Sequence, residues 1–363
     1  MIESLRIENF RCFKVLELHG LKRINAIVGD NATGKTVLLE AIRIGLAGTP
    51  GIIPWISNSR GLLTVLIPNP TREQFESQWG DLFCEWNSSM PIFISVQDSQ
   101  GRTAAVRIFY DLSKAVTPQS PLSGEAEPSR ITPSTIIPLA FQRTHFSGEE
   151  STLYATVNPL GGQLLEPGPE LGPSCAFFCN TMFGFPPENA SWFSKLSIDK
   201  RDREVVETFR HHFDYVENLS TETLLPYGQG VIYADLPHLP KKIPVSLVSA
   251  GMNRLLSFIL AVVTFGEGVV LIDEVENGIF YNQFFRLWET LVNLVHQHHT
   301  QLFVTTHSLE CLRASVPLIK ENPGDFCLLR TDRKGTDKQP QIQKFDGTQF
   351  GAALDNYAEI RSR

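Results

Sequence analysis

Gly29-Asp30-Asn31-Ala32-Thr33-Gly34-Lys35-Thr36 sets two glycines, a lysine and a threonine at the spacing G-x-x-x-x-G-K-T. Each fixed type answers a need of a bound triphosphate. The glycines let the backbone curl until successive N–H groups face one point, and a helix starting behind them adds its positive end. Lys35 carries a point charge suited to β- and γ-phosphates, and the Thr36 hydroxyl can ligate Mg²⁺. The bland alternative is a glycine-rich turn with a surface lysine. The context weakens it, because an apolar run, Arg23 to Val28, precedes the motif. A helical stripe of Val37, Leu38, Ala41, Ile42 and Leu46 follows, and Gly48 to Gly51 ends it.

Two carboxylates stand at the end of a second apolar run, Val269-Val270-Leu271-Ile272-Asp273-Glu274. A buried parallel strand would deliver Asp273 beside the cradle, where it can hold Mg²⁺, and would aim Glu274 at the γ-phosphate side as the base for an attacking water. Without the cradle upstream, two solvated acids at a strand end would be the better reading. One helix and one strand later, Leu302 to Thr305 leads to His307, a candidate sensor of the γ-phosphate. Ser249-Ala250-Gly251 opens the helix that precedes the Asp273 strand, and a hydroxyl with a glycine at a helix start makes another anion site. One nucleotide rarely needs two such sites from one chain, so Ser249 and Gly251 are expected to cap the γ-phosphate held by a second copy.

The elements that must position these residues fall at the two ends of the chain. Ser4–Glu8 and Glu17–Leu21 alternate as opening strands. A helix stripe from Leu255 to Val263 is followed by strand, helix and strand from Val269 to Thr305, which implies a parallel crossover. Residues 1–50 and 245–363 are therefore expected to form one α/β sheet. Between them, 51–244 has a different texture. Pro91–Val96 and Thr103–Tyr110 alternate as antiparallel strands, Thr117–Pro138 is a Pro- and Ser-rich loop, and Trp192–Phe213 has helical spacing. The expected architecture is α/β, with a mixed parallel/antiparallel sheet and a large α+β insertion.

Composition excludes several classes. With 42% hydrophobic and 20% charged residues, the 363-residue chain is that of an ordinary globular protein. A formal net charge of −7 gives no global basic field for nucleic acid. Leu255–Phe265 is too short to span a bilayer, and the opening MIESLRIENF has no apolar signal core, so a cytoplasmic location and no membrane contact are expected. Cys12, Cys84, Cys175, Cys179, Cys311 and Cys327 are scattered, as buried thiols in a reducing compartment would be. His296 and His299 share a helical face, but no ligand set completes around them.

Taken in order, these motifs resemble those of ABC ATPases. Gly29–Thr36 resembles Walker A, Ser249-Ala250-Gly251 the signature motif, Asp273-Glu274 Walker B with its glutamate, and His307 the switch histidine. Ile7–Phe13 is similar to the opening strand of RecF, SMC and OLD-type ATPases, a likeness that implies Arg11 can approach the nucleotide. Asp273–Ile279 and Thr305–Ser308 look most like OLD-family ATPase domains. The resemblance implies an ABC-type head that binds ATP and Mg²⁺, pairs as a homodimer or higher homo-oligomer, and works as a switch in phage defence or DNA maintenance. Ser-Ala-Gly in place of Ser-Gly-Gly, with no Gln-rich continuation, departs from transporters. The resemblance assigns Gln142 to the place of the Q-loop glutamine. About 56 residues follow His307 without an Asp-x-Asp cluster, so no Toprim nuclease site is expected in the chain. A separately encoded, Toprim-like effector is the partner implied.

A scaffold that binds ATP with little turnover is the other reading. Lys35, Asp273, Glu274 and His307 together favour hydrolysis, since a scaffold needs no glutamate. DNA contact is a weaker expectation. Arg330, Arg333, Lys334, Lys338 and Lys344 cluster, as do Lys195, Lys200, Arg201 and Arg203, but Asp199, Asp202, Asp332 and Asp337 interleave with them.

Overall fold

The computed structural model describes residues 1–61, 67, 70–117, 135–158, 160–179, 186–223, 230–333 and 339–355. Lys334, Lys338 and most of the Thr117–Pro138 stretch lie outside the described residues. The N-terminal part supplies β1 (Ile2–Phe10), β2 (Phe13–His19), β3 (Ile24–Gly29), α1 (Lys35–Ala47), α2 (Ile52–Ser59) and α3 (Arg72–Ser77). The middle supplies β4 (Ile92–Asp98), β5 (Thr103–Tyr110), β6 (Leu139–Thr144), β7 (Glu150–Val157), β8 (Gln163–Leu165) and β9 (Cys175–Phe178). Then come α4 (Pro186–Ile198), α5 (Asp202–His212), β10 (Asn218–Thr223), β11 (Gly230–Asp235) and β12 (Ile243–Pro244). The C-terminal part supplies α6 (Val245–Val248), α7 (Ala250–Thr264), β13 (Val269–Ile272), α8 (Phe284–Gln297), β14 (Gln301–Thr305), α9 (Leu309–Ala314), α10 (Val316–Glu321), β15 (Phe326–Asp332), β16 (Gln341–Asp346) and α11 (Gly347–Asp355).

The six-stranded sheet runs β16-β15-β3-β14-β13-β9, parallel throughout except for the edge strand β16. The cradle strand β3 thus lies between two strands from the far end of the chain, as the two-part α/β pattern requires. A seven-stranded antiparallel sheet runs β2-β1-β4-β5-β6-β7-β8, and β10-β11-β12 form a third, small sheet. The fold is an α/β P-loop NTPase fold with parallel and antiparallel sheets. The boundaries at 50 and 244 mark changes of sequence pattern, and the sheets cross both. β4 pairs with β1, and β9 pairs with β13 in the parallel sheet.

Helix α1 lies between the two large sheets. Gly45 comes so close to β4 that an added Cβ would stand 2.8 Å from Ile94. The helix is accordingly buried nearly all round, a wider apolar surface than the single stripe its spacing predicts. Period-2 alternation splits each core strand between two cores. Val270, Ile272, Leu302 and Val304 pack toward α4, α5, α7 and α8, whereas Val269, Leu271 and Phe303 pack toward α1. Gly48 ends α1 in a left-handed C-cap, its N–H bonded to the Ile44 carbonyl. All six cysteines are free, and five of them are buried.

Candidate active site

The loop between β3 and α1 turns through positive φ at Gly29 (143°), Ala32 (61°) and Gly34 (95°). Gly29 is required twice over, since an added Cβ would also lie 2.2 Å from the Thr331 carbonyl of β15. Thr33 accounts for one unspecified position of the motif. Its hydroxyl donates to the Asp30 carbonyl at 2.8 Å and meets the Thr331 hydroxyl at 2.6 Å, which fastens the loop to β15. Lys35 donates to the carbonyls of Gly29 (2.8 Å) and Asp30 (2.7 Å), so its charge is held inside the loop. Burial pushes the Lys35 pKa down, and the charges of Asp273, Glu274 and Asp30 oppose that shift. Asp30 and Asn31 line a cleft with Gly29, Thr306, His307 and Ser308.

Asp273 stands at the tip of β13, two strands from the cradle. Thr36 donates to its two oxygens at 3.1 and 3.0 Å, and Thr305 of β14 donates to Oδ1 at 2.6 Å. Burial pushes its carboxyl pKa up, against the hydrogen bonds from Thr305 and Thr36. Hydroxyl and carboxylate oxygens side by side in a buried setting are hard donors that a small divalent cation would stabilise, so Thr36 and Asp273 fit Mg²⁺. No group of three His, Cys, Asp or Glu side chains arranged to hold a metal occurs among the described residues. A cation here would draw its remaining ligands from phosphate and water, as Mg²⁺ commonly does.

Glu274 follows in the left-handed region, φ 50°. That conformation is held from three sides. Its N–H donates to Thr305 Oγ1 at 2.8 Å, Arg254 Nη2 donates to its carbonyl at 2.8 Å, and Asn277 Nδ2 donates to its carboxylate at 2.5 Å. His307 Nε2 lies 3.6 Å from Glu274 Oε1, so the structure brings these two candidates together. Glu276 accepts from the N–H groups of His307 (2.7 Å) and Ser308 (3.0 Å) and sets the path of that loop.

Arg11 is placed differently from the expectation. Its guanidinium sits 3.2 Å from buried Glu40 on α1 and 3.7 Å from Asp81, and Glu40 also pairs with Arg60. The turn between β1 and β2 does reach the cradle, but through Cys12 and Phe13, which stand 3.0 and 2.9 Å from where a Gly34 Cβ would be. Burial pushes the Cys12 thiol up to about 11. Gln142 lies on β6, exposed and paired with Arg107 and Thr152 of the antiparallel sheet, which gives it no place in the site.

Ser249 and Gly251 open into another cleft, lined also by His212, Met252, Gly278 and Phe280, which shares no residue with the cradle cleft. Ser249 is exposed, and its side chain makes no capping bond to α7. Gly251 is required by contact, since an added Cβ would lie 2.3 Å from the Gly278 carbonyl.

Thr305, Arg254, Glu276 and Asn277 also belong to the site, though no motif marks them. Thr305, Glu276 and Asn277 stand inside the stretches around Asp273 and His307. Only the pairing of β13 with β14 shows that Thr305 faces Asp273. Arg254 gives no periodic signal, because it interrupts an apolar helix.

A family model described as an AAA domain matches residues 4–74, and one described as an AAA ATPase domain matches 195–312. Together with the cradle and Asp273 geometry they make the chain a P-loop ATPase. It is similar to an ATP/GTP phosphatase of Helicobacter pylori, at 22% identity over 99% of this chain and 98% of the relative. It is also similar to the DNA replication and repair protein RecF of Oenococcus oeni, at 49% identity over 43 residues, 12% of each protein. Among solved structures it is similar to an SMC head bound to the C-winged helix domain of ScpA, with a TM-score of 0.48 and 13% identity over 95% of this chain and 98% of that one. An SMC head with an extended coiled coil, bound to the C-terminal domain of ScpA derived from Pyrococcus furiosus, gives a TM-score of 0.47 and 11% identity over 98% and 99%.

Proposed function

We propose that the chain is an ABC-type ATPase switch, related in its motifs to the RecF, SMC and OLD group, in which two copies close head to head on ATP. The observation that carries this reading is the separation of the two anion sites. Gly29, Asp30, Asn31 and His307 line one cleft, with Glu274 3.6 Å from His307 and Asp273 bonded to Thr36 of the cradle, while Ser249 and Gly251 face another. A second copy, turned to meet the first, would bring its signature to the open side of the cradle.

Each group then has a task. The loop amides and Lys35 bind the phosphates. Thr36 and Asp273 would hold Mg²⁺, which supplies charge neutralisation on the phosphate oxygens. Glu274 orients the attacking water and takes its proton, and His307 bonds the γ-phosphate and registers its loss. Arg11 reaches the nucleotide only by leaving Glu40. Closing on ATP and opening after hydrolysis would gate a separately encoded effector, in defence or DNA maintenance. DNA is the weaker partner, because several of the basic side chains are engaged within the chain. Arg330 pairs with Asp332, Arg203 with Glu207 and Arg201 with Glu204, and Lys344 donates to the His19 and Gly20 carbonyls. Among the described residues, no helix is long and apolar enough to cross a membrane.

Phosphate release and solution mass, each with and without ATP, test the proposal on wild type and Glu274→Gln. Turnover in wild type, with a turnover-dead variant that doubles its mass on ATP, is the expected result. A wild type that neither hydrolyses ATP nor associates would leave an ATP-binding scaffold instead.

A further inference from the structure

Arg254 is 1% exposed and sits five residues beyond Ser249 in α7, the helix that the signature turn opens. Its Nη2 donates to the carbonyls of Asp273 (2.7 Å) and Glu274 (2.8 Å), and its guanidinium lies over the Phe258 ring, 5.3 Å from the centroid. Nε and Nη1 are buried with no hydrogen-bond partner among the described residues. Burying a cation so incompletely bonded costs several kcal/mol, and apolar side chains of similar volume often replace buried ions with no loss of stability. Its contribution to packing therefore does not account for an arginine at this position.

What the arginine does hold is the peptide on either side of Glu274. A non-glycine residue at φ 50° carries strain of about 1–2 kcal/mol and keeps that conformation only when its surroundings enforce it. The bonds from Arg254 to two successive carbonyls enforce it from the α7 side, as Thr305 does from β14. A second link lies at the rim, where Gly251 packs on the Gly278 carbonyl just beyond the same turn. Ser249, Gly251 and Arg254 belong to one and a half turns of a single helix, so a shift at its start is delivered to the Glu274 turn through both contacts.

We propose that Arg254 is a positioning residue that couples the Ser249–Gly251 turn of each chain to the Glu274 of the same chain. This rests on the reading that the turn meets the nucleotide of a second copy. Engagement of the turn by the partner's triphosphate would seat α7, and Arg254 would then set the carbonyls that aim Glu274. Each site would thereby sense that the other is filled.

The test compares wild type, Arg254→Met, Ser249→Ala and the double variant in full-length chain. It reads kcat and KM for ATP, affinity for a fluorescent ATP analogue, and ATP-dependent mass. For Arg254→Met the expected result is a kcat lower by roughly tenfold or more, with KM, nucleotide affinity and association close to wild type. The double variant should lose no more than the worse single one, because both act along one path. An unchanged kcat, losses that multiply in the double variant, or nucleotide affinity falling in step with kcat would each overturn the coupling. If Arg254→Met does not fold, Arg254→Lys takes its place in every comparison, since one ammonium cannot bond both carbonyls as a fork does. Absence of ATP-dependent association in wild type would sink the paired-copy reading, and with it the coupling. A flat kcat in Arg254→Met beside normal association would sink the coupling alone.

Discussion

At the cradle, Thr33 is bonded to Thr331, Lys35 to two loop carbonyls and Thr36 to Asp273, and Asp273 is in turn bonded to Thr305. At the signature turn, built likewise from a small hydroxyl and a glycine at a helix start, Ser249 makes no capping bond. Nearby Leu247, Phe280 and Tyr281 are 72%, 64% and 67% exposed. Exposed aromatic and aliphatic side chains grouped beside a polar pair are what a surface carries where something is to cover it. The cradle is cross-braced to the parallel sheet, whereas the Ser249 side chain makes no bond to its own helix, which under the proposed function leaves the turn as a half-site for a second copy. The difference teaches where the two kinds of free energy reside. On the proposed reading, phosphate affinity belongs to the cradle and the response to a second copy to the turn.

Removing the cradle's charge is the sharpest way to break that division. Lys35→Ala should lower turnover by about a thousandfold, ~4 kcal/mol, and abolish ATP binding measured by calorimetry. Binding that stayed within about threefold of wild type would mean that the affinity resides elsewhere.

The next largest effect lies on the turn's side. His212 lines the signature cleft, is bonded to Thr290 and is buried, and its pKa is lowered to about 4 from 6.5, chiefly by that burial and further by His211 and Arg286. Its folded pKa is below its unfolded value, so the unfolded chain binds the extra proton between them. The neutral folded form is therefore fully stable above pH 6.5 and loses stability as pH falls toward 4, by up to about 3 kcal/mol. Urea unfolding at pH 7, 5.5 and 4.5 should show a steeper loss in wild type than in His212→Gln. Parallel slopes would show that the histidine ring is solvated in the folded chain.

The same division separates what the amino-acid order reveals from what it hides. Gly29–Thr36, Asp273, Glu274 and His307 are legible because each sits at the end of an apolar strand, and adjacent parallel strands bring their tips together. That the two ends share one sheet follows from the same two-part pattern, whereas the pairing of β3 with β14 and β15 is given only by the tertiary structure. β9 is not legible as a core strand. Cys175-Ala176-Phe177-Phe178 is a four-residue run inside a region of antiparallel texture, and only tertiary pairing with β13 assigns it to the parallel sheet. Arg11 is the reverse case. Its position in the turn just after the opening strand is readable, but its partner Glu40 lies one helical turn past Thr36, and a buried ion pair leaves no periodic trace. Trp192–Phe213 has helical spacing, and the structure divides it into two helices at Asp199-Lys200-Arg201, where Lys200 takes φ 59°. His299 likewise leaves the helical face it was expected to share with His296, because α8 ends at Gln297 and His299 takes φ 55°.

Gly251→Ala addresses the contact that fixes the turn in place. In an ordinary helix the change would stabilise by about 1 kcal/mol through propensity. Here the new methyl would stand 2.3 Å from a backbone carbonyl that cannot swing aside as a side chain could. Overpacking should win, at about 2 kcal/mol of net destabilisation in urea unfolding. A stabilised Gly251→Ala would mean that α7 and the Gly278 turn stand further apart.

Ser249→Ala is the finest probe, because the turn's two residues should separate stability from function. A serine that caps its helix costs about 1 kcal/mol when replaced by alanine, through loss of the bond to a backbone N–H. Ser249 makes no such bond, so Ser249→Ala should leave unfolding within about 0.5 kcal/mol of wild type. It should also leave the affinity of the isolated chain for ATP unchanged, since the chain's own cradle opens into a different cleft. Turnover is expected to fall roughly tenfold, the loss of one charge-assisted bond to a γ-phosphate. A fall in stability with turnover intact would make the hydroxyl a helix cap and remove it from the site. A fall in ATP affinity for the lone chain would place Ser249 over its own nucleotide, and the two half-sites would then belong to one copy.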